Sequence, residues 1–205
     1  MITVTAAETR ADNEDLRRAF AASQTYLDAV YAKTNEDAGR QSLAGLRALL
    51  FLLRERGVDP APLILSRGKS GKPYFANCPL QFGISHSGDL AVCALSDLPV
   101  GIDVERLREK KNAEIFAKRF FSPRECAILT AARDKNNAFF EIWTKKEAAL
   151  KLRGRGIDSP LAEIDTTQSA FSVFDIKAAG GDYVASVAGD DSVRIIGGLV
   201  WTKRK

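Results

Sequence analysis

Histidine is almost absent from this chain, since His86 is the single one among 205 residues. Cysteine is also scarce: Cys78, Cys93 and Cys126 are an odd number, widely separated and without C-x-x-C spacing. These absences argue against a disulfide framework and against a zinc site, and they predict that the cysteines are small core residues.

Long apolar runs are missing as well. The longest, Leu43–Leu53, contains Arg47 and is too short to cross a bilayer, so it predicts a buried helix. The N-terminal residues lack the basic start and apolar segment of a secretory signal. We therefore expect a cytoplasmic protein without membrane contact.

The composition that remains is that of an ordinary globular protein, with 45% hydrophobic and 27% charged residues. A length of 205 residues suffices for one substantial domain or for two small halves that share a core. The formal net charge of +4 suits an acidic macromolecular partner or a phosphorylated ligand, and it does not choose between them.

Two stretches of equal length, Gly88–Asp97 and Gly181–Asp190, share a Gly-Asp opening, an apolar run and an Asp at the end. Each follows a helix-rich segment and lies among predicted strands, which predicts two similar halves. We place these halves at residues 1–98 and 99–205. The predicted fold class is α+β, with antiparallel sheets packed against helices in a pseudo-twofold arrangement.

Periodicity and capping residues predict the individual elements. The acids of Asn35-Glu36-Asp37 suit the start of one helix and Gly57 suits its end. Ser122, Pro123 and Glu125 form a capping-box pattern at the start of another. The predicted helices are 12–33, broken once, 35–57, one from 122 that fades at 134–137, and 138–153; the predicted strands are 88–97, 100–105, 171–176, 183–187 and 193–201.

The predicted strand Val100–Glu105 carries two acids on one face, because side chains alternate along a strand. Asp103 and Glu105 therefore project together from an otherwise apolar segment. Two such carboxylates repel each other unless a cation or solvent lies between them, and their oxygens suit a hard ion such as Mg2+. A solvated acidic edge strand is the alternative interpretation.

Polar residues that suit a phosphate occur in two segments before this strand. Lys72 follows a glycine in a Gly- and Lys-rich stretch, but the stretch lacks P-loop spacing and a simple turn also explains it. Ser85, His86 and Ser87 offer hydroxyls and an imidazole that can hold a phosphate, although a structural histidine is the alternative. The chain has no G-x-S-x-G nucleophile turn for a Ser-His-Asp triad.

The helix predicted at 138–153 places Glu147 and Lys151 four residues apart, hence on one face. An ordinary helical ion pair, worth about 0.2–0.5 kcal/mol, explains this spacing without any chemistry. Glu125 is similarly explained by helix capping alone.

Several of these segments together resemble one family, the 4'-phosphopantetheinyl transferases, and specifically the longer Sfp-type enzymes built from two similar halves. The joint G-I-D-V-E and W-T-x-K-E-A-x-x-K patterns are the most specific. The matching segments lie in the order of the family and are G-K-P-Y at 71–74, I-S-H-S at 84–87, V-G-I-D-V-E at 100–105, F-F-S-P-R-E at 120–125 and W-T-K-K-E-A-A-L-K-L-R-G-R-G at 143–156.

The resemblance implies an enzyme that transfers the phosphopantetheine arm of coenzyme A to a serine of an apo carrier protein and releases adenosine 3',5'-bisphosphate. It implies that Asp103, Glu105 and Glu147 hold Mg2+ against the pyrophosphate, where the ion neutralises developing charge. Glu147 or a metal-bound water would be the base for the serine. Lys151 would neutralise the transferred or the leaving phosphate.

The same resemblance implies contacts with coenzyme A by Lys72, Ser85 and His86 at its nucleotide end, with His86 at the 3'-phosphate. Lys146 is expected at the pyrophosphate. Arg40, in an E-D-A-x-R pattern, is expected at the nucleotide phosphates, with Arg47 as the competing choice. Glu125 also matches the family; capping is our preferred role for it, and a supporting part in catalysis is the alternative.

The implied partner is an acyl or peptidyl carrier protein that is acidic around its serine, and the basic stretch Arg106–Arg124 is the expected docking surface. The carrier's pathway, whether fatty acid, polyketide or nonribosomal peptide synthesis, stays open. We expect a monomer. A nucleic-acid-binding protein is disfavoured because acids interrupt the basic stretches, and an inactive scaffold is disfavoured because all three carboxylates are present.

Overall fold

Two four-stranded sheets, each with one long helix packed on it, form the body of the protein. The computed structural model describes residues 1–10, 15–154, 161–168, 170–178, 180–190 and 192–204. The elements are β1 (Ile2–Glu8), α1 (Leu16–Ala19), α2 (Gln24–Tyr31), α3 (Glu36–Glu55), β2 (Leu65–Arg67), β3 (Pro73–Phe75), β4 (Gln81–Ser87), β5 (Leu90–Ser96), β6 (Gly101–Arg106), α4 (Ala113–Phe120), α5 (Pro123–Ala131), α6 (Lys135–Leu152), β7 (Phe171–Ala178), β8 (Gly181–Ala188), β9 (Val193–Ile195) and β10 (Val200–Lys203).

The two large sheets repeat the order of three strands and differ in the fourth, because β9 lies beside β1 and β10 lies beside β7. The first runs β4-β5-β1-β9 and the second β10-β7-β8-β6, so each contains an antiparallel hairpin whose second strand also pairs with the opening strand of its half. The stretches predicted to match, 88–97 and 181–190, provide the second hairpin strands, β5 and β8. The α+β class with antiparallel sheets is confirmed, whereas the pseudo-twofold relation stays a prediction.

One strand crosses between the predicted halves. β9 pairs in parallel with β1, so a segment from the C-terminal part of the chain completes the first sheet. The predicted strand 193–201 is therefore two strands, β9 on the first sheet and β10 on the second. Gly197, with a φ of 120°, lies between them. The boundary at 98/99 falls in the connection between β5 and β6 and stays a prediction.

The helix predicted from Asn35 to Gly57 is confirmed as α3. The Asn35 side chain caps its start by accepting a hydrogen bond from the Ala38 N–H at 2.9 Å, and Gly57 follows its end with a φ of 67°. Its apolar side packs on the first sheet. Within the described ranges, none of the helices combines the length and the apolar composition needed to span a bilayer.

The predicted first helix has a break with a physical cause. A 3-10 turn at Ala21–Ser23 separates α1 from α2. The buried Ser23 hydroxyl donates to the Leu63 carbonyl and accepts from the Leu65 N–H, both at 2.8 Å, so this turn anchors the start of β2. Residues 11–14, where the prediction begins, lie outside the described residues.

The capping box at the start of α5 is confirmed, because Ser122 and Glu125 exchange side-chain-to-backbone hydrogen bonds. α6 begins at Lys135, earlier than predicted. Asp134 accepts from the Asn137 N–H at 2.9 Å and caps α6, so the polar residues 134–137 begin this helix and do not end the previous one. Residues 155 and 156, which close the matching sequence pattern, lie outside the described residues.

A shared apolar core lies between the two sheets. Val4 and Val92 of the first sheet and Ile102, Val104 and Val187 of the second belong to one buried cluster. The strand Val100–Glu105 is confirmed as β6, with Ile102 and Val104 on its apolar face. This burial holds β6 beside β4 at the junction of the sheets.

α6 packs on β6 in direct backbone contact at Gly101. A Cβ atom on this residue would lie 1.9 Å from the Ala148 carbonyl oxygen and 2.6 Å from the Leu152 nitrogen. Both obstructing atoms belong to backbone, which cannot rotate away as a side chain can. Only glycine allows the helix to lie this close to the strand.

We predict that Gly101→Ala lowers the free energy of unfolding by about 3 kcal/mol, the upper end of the usual cost of overpacking, because α6 must move off β6. Urea unfolding followed by circular dichroism measures this change. Gly198→Ala is the control, since a Cβ there meets nothing within 4 Å. Equal stabilities of the two variants would contradict the close contact.

Candidate active site

A pocket of about 420 Å3 opens at the junction of the two sheets. It lies between the Gly- and Lys-rich loop before β3, the end of β4, the middle of β6 and the last two turns of α6. Its lining includes six of the predicted site residues, which are Lys72, Ser85, His86, Asp103, Glu147 and Lys151. The structure therefore brings together residues that are up to 79 positions apart in the chain.

Asp103 is the centre of the pocket's polar network. One carboxylate oxygen, Oδ1, accepts hydrogen bonds from the Ser85 hydroxyl at 2.7 Å and from the Lys151 ammonium at 2.6 Å. The Lys151 ammonium also donates to the Ser85 hydroxyl at 2.7 Å. The second oxygen, Oδ2, is buried and accepts no hydrogen bond from any described residue. A buried carboxylate oxygen without a partner is costly unless a ligand satisfies it.

Glu147 and Glu105 extend this acidic group. Burial, followed by the charges of Asp103 and Glu105, raises the pKa of Glu147, and the charge of Lys151 opposes this. Burial also raises the pKa of Glu105, with a smaller contribution from Asp103. Glu105 does not line the pocket itself and accepts a hydrogen bond from the Ser87 hydroxyl at 2.8 Å. The three carboxylates are therefore close enough to interact electrostatically.

These residues suit a hard divalent cation by their chemistry. In the part of the chain that the structure describes, no three His, Cys, Asp or Glu side chains form a ready-made metal cluster, and the Lys151 ammonium neutralises Asp103. Yet three carboxylates supply oxygen ligands, one oxygen lacks a partner, and mutual repulsion contributes to the two raised pKa values. A cation between the carboxylates would relieve all of these costs.

Lys72 and His86 line the same pocket as the acids Asp103 and Glu147. The Lys72 ammonium donates to the backbone carbonyls of Lys151 at 2.7 Å and Val100 at 3.1 Å, and burial lowers its pKa. Burial, with the charges of Lys151 and Lys33, also lowers the pKa of His86. His86 is therefore a neutral imidazole beside two cations, an environment that favours an anionic ligand.

Lys146 is not in the pocket, contrary to the expectation that it meets a pyrophosphate. It is fully buried and forms an ion pair with Glu125, whose oxygen lies 2.7 Å from the Lys146 nitrogen. With none of its surface exposed, its ammonium cannot reach a ligand at the surface of α6. This finding also gives Glu125 a second partner beyond its capping role.

The two arginines expected as nucleotide contacts are elsewhere as well. Arg40 is exposed on α3 and forms ion pairs with Glu36 and Asp37. Arg47 donates to the Glu8 carbonyl oxygen. Neither lines the pocket at the junction, so the structure does not choose between them.

The sequence analysis did not identify two residues of the pocket lining, Ser70 and Gly154. They are joined by a hydrogen bond of 3.2 Å from the Ser70 hydroxyl to the Gly154 carbonyl. Both belong to glycine-rich stretches, which was a usable signal. Ser87, expected among the groups that hold a phosphate, donates to Glu105 at 2.8 Å, and its oxygen accepts from the Arg106 N–H at 3.1 Å.

Comparison with known proteins identifies the class. The family model of the 4'-phosphopantetheinyl transferase superfamily matches residues 99–195, which contain Asp103, Glu105, Glu147 and Lys151. The 4'-phosphopantetheinyl transferase AcpT of Salmonella typhimurium is 39% identical over 151 residues, which cover 71% of this chain and 76% of that protein. The chain belongs to the 4'-phosphopantetheinyl transferase family.

Other relatives match over shorter regions. A 4'-phosphopantetheinyl transferase of Bacillus subtilis is 36% identical over 129 residues, or 62% of this chain and 57% of that protein. The 4'-phosphopantetheinyl transferase HetI of Nostoc sp. is 43% identical over 116 residues, or 53% of this chain and 48% of that protein. The aligned region thus spans about half the length of these two relatives.

We predict that Mg2+ raises the melting temperature of this protein, because an ion bound between the carboxylates stabilises only the folded state. At an ion concentration 100 times its Kd the gain is about 2.7 kcal/mol. Differential scanning fluorimetry with and without Mg2+ measures the shift. Asp103→Asn is the comparison variant and should lose most of it; equal shifts in both proteins would exclude Asp103 as a ligand.

Proposed function

We propose that this protein transfers the 4'-phosphopantetheine arm of coenzyme A to a serine hydroxyl of an apo carrier protein. In this reaction the serine oxygen forms a bond to the phosphorus that bears the pantetheine arm. The bond from that phosphorus to the bridging oxygen breaks, and adenosine 3',5'-bisphosphate leaves with the electron pair. The convergence of Asp103, Glu147 and Lys151 in one pocket, in a chain of this family, carries the proposal.

Asp103, Glu105 and Glu147 are the residues that would hold Mg2+. Bound there, the ion would neutralise the charge that develops on the pyrophosphate as its anhydride bond breaks. The unpartnered Oδ2 of Asp103 supports this assignment, since it is an oxygen already desolvated and available. Ser85 and Ser87 would orient the ligands, because their hydroxyls donate to Asp103 and Glu105.

Glu147 is the proposed base that accepts the proton of the attacking serine. It is a carboxylate with a raised pKa that lines the pocket. A pKa above the usual range for glutamate makes proton transfer from a hydroxyl less unfavourable. Lys151, one turn further along α6, is placed to neutralise the phosphate during transfer, and its ammonium already lies among polar groups of the pocket.

The nucleotide end of coenzyme A would lie against His86, Ser85 and Lys72. Each of these lines the same pocket. Burial, with the charges of Lys151 and Lys33, lowers the pKa of His86. A phosphate bound beside the imidazole would raise this pKa, because its negative charge favours the protonated form. We leave Lys146 out of the coenzyme A contacts, because it is fully buried and paired with Glu125.

The proposed docking surface for the carrier includes α4, within the stretch 106–124. Ile115 is 70% exposed there, and the neighbouring Phe116 is partly exposed. Lys118 and Arg119 lie in the last turn of the same helix, and the Lys110 ammonium lies 4.2 Å from the centre of the Phe116 ring. Apolar anchors among cations suit an acidic partner.

The arrangement of the whole enzyme follows from the same proposal. Coenzyme A would bind where residues 1–98 and 99–205 meet, with its nucleotide on the first half and its pyrophosphate on the second. A pseudo-twofold relation between the halves is supported by the three-strand order that they share, β4-β5-β1 and β7-β8-β6. We also predict that the protein is monomeric and cytoplasmic and that it binds neither nucleic acid nor membranes.

We predict that the protein adds the phosphopantetheine mass to an apo carrier in the presence of coenzyme A and Mg2+, as measured by mass spectrometry. Glu147→Gln should lower the rate by about 10²-fold or more, because it removes a general base and a metal ligand. Arg17→Gln, on the exposed side of α1, is the control and should be unaffected. No mass gain with any of several carriers and a folded enzyme would refute the proposed function.

We predict that Ile115→Asp raises the KM for the carrier about tenfold and leaves the KM for coenzyme A within about twofold, because it places a charge at an exposed apolar anchor. Val200→Asp is the matched control, since Val200 is 65% exposed at the edge of the second sheet. The same increase in KM for both variants would contradict a specific role of α4.

A further inference from the structure

A buried ion pair lies on the side of α6 that faces away from the pocket. The Lys146 ammonium forms an ion pair with the Glu125 carboxylate at 2.7 Å and donates hydrogen bonds to the Leu161 carbonyl oxygen at 2.8 Å and the Ile164 carbonyl oxygen at 2.5 Å. The Lys146 side chain is fully enclosed. It therefore ties α6 to α5 and to the segment 161–164 at once.

Glu125 is equally well satisfied. Its Oε2 accepts from the Ser122 N–H at 2.7 Å as well as facing Lys146, and its Oε1 accepts from the Thr166 N–H at 2.9 Å and the Thr166 hydroxyl at 2.7 Å. We call Glu125, Lys146 and Thr166 the buried clamp. Its members lie on α5, α6 and the segment before β7, so the clamp joins three separate parts of the chain.

The position of Lys146 relates the clamp to the active site. Lys146 and Glu147 are consecutive on α6, and consecutive side chains on a helix point about 100° apart. Lys146 therefore points into the clamp while Glu147 lines the pocket, as Lys151 does one turn later. If α6 turned about its axis, the clamp would break and both pocket residues would be displaced.

A gain in stability does not by itself explain why a buried ion pair is present here. Two charges removed from water are costly to bury, and apolar residues of similar volume often serve the fold as well or better. An ion pair whose two members also form hydrogen bonds with the surrounding chain supplies one defined geometry, because these contacts are made together in a single arrangement. This distinguishes a role in geometry from a role in stability.

We propose that the buried clamp positions the catalytic helix: it fixes the rotation of α6 and thereby aims Glu147 and Lys151 into the pocket, without contacting coenzyme A or metal. Glu125, Lys146 and Thr166 are thus positioning residues. The inference rests on the proposed function, because Glu147 and Lys151 are catalytic only in that reaction. The positions of the metal-binding carboxylates can be tested without turnover, by measuring the affinity for a metal ion.

The test compares the apolar double variant Glu125→Leu/Lys146→Met with wild type. We expect its unfolding midpoint to be close to that of wild type, because both charges are removed together. We also expect kcat to fall at least about tenfold and affinity for Mn2+, measured by isothermal titration calorimetry as a probe of the carboxylates, to fall at least about fivefold. The KM for coenzyme A should change less than about twofold.

The exposed pair Arg17–Asp28, at 2.8 Å, provides the matched control. Arg17→Gln/Asp28→Asn should leave kcat and Mn2+ affinity unchanged. If the clamp double variant also keeps wild-type kcat and Mn2+ affinity, the positioning role is overturned. If wild type shows no transfer, the proposed function fails, while the Mn2+ affinities still decide for or against the clamp.

Thr166→Val decides the question if the double variant does not fold. It removes the hydroxyl donor to Glu125 and retains the backbone N–H donor. We expect a decrease of about threefold in kcat and in Mn2+ affinity, measured well below a melting temperature that the lost hydrogen bond lowers, and restoration of all three quantities by Thr166→Ser. Wild-type values of both quantities in Thr166→Val would overturn the proposal.

Discussion

The active site depends on one contact between backbones, the approach of α6 to β6 at Gly101. Because residue 101 has no side chain, the helix lies directly on the strand, with the Ala148 carbonyl where a Cβ atom would be. That approach brings Glu147 and Lys151 of the helix to Asp103 of the strand. The side chains of the site carry its chemistry, but the absence of one side chain sets their separation.

Electrostatics explains why the site suits a cation and an anionic substrate together. Asp103 and Glu147 in the partly desolvated pocket and Glu105 beside it repel one another, and Lys151 forms an ion pair with Asp103. Burial, with the charges of Lys151 and Lys33, lowers the pKa of His86, so its imidazole stays neutral. The pocket thus combines carboxylates that need positive charge with lysines that suit phosphate, as a metal-bound pyrophosphate requires.

Local patterns predicted the elements well and the contacts of charged residues less well. Alternation on β6 and the caps of α3 and α5 are encoded within a few residues, so they could be predicted from the sequence. The burial of Lys146 could not be predicted in this way. Its partners Glu125, Leu161 and Ile164 are distant in the chain, and burial depends on tertiary structure. Within the W-T-K-K-E-A-A-L-K stretch, the sequence alone does not distinguish the buried Lys146 from the pocket residue Lys151.

The final strands show the same limit. An apolar run from 193 to 201 predicts a single strand, and periodicity cannot tell that its two ends pair with different sheets. The assembled pocket is likewise a product of tertiary structure, since its walls come from both sheets. The family resemblance supplied what local patterns could not, because it assigns Asp103 and Glu105 of β6 and Glu147 of α6 to one metal site.

The two halves share a pattern of strand pairing but carry different side chains at the equivalent positions. β1 faces β5 in the register in which β6 faces β8, so Thr5 opposes Cys93 as Asp103 opposes Ser186, and Ala7 opposes Ala91 as Glu105 opposes Val184. The first half therefore carries a hydroxyl and a methyl group where the second carries two carboxylates. Under the proposed function, the second half would hold the metal and the first half would bind the nucleotide.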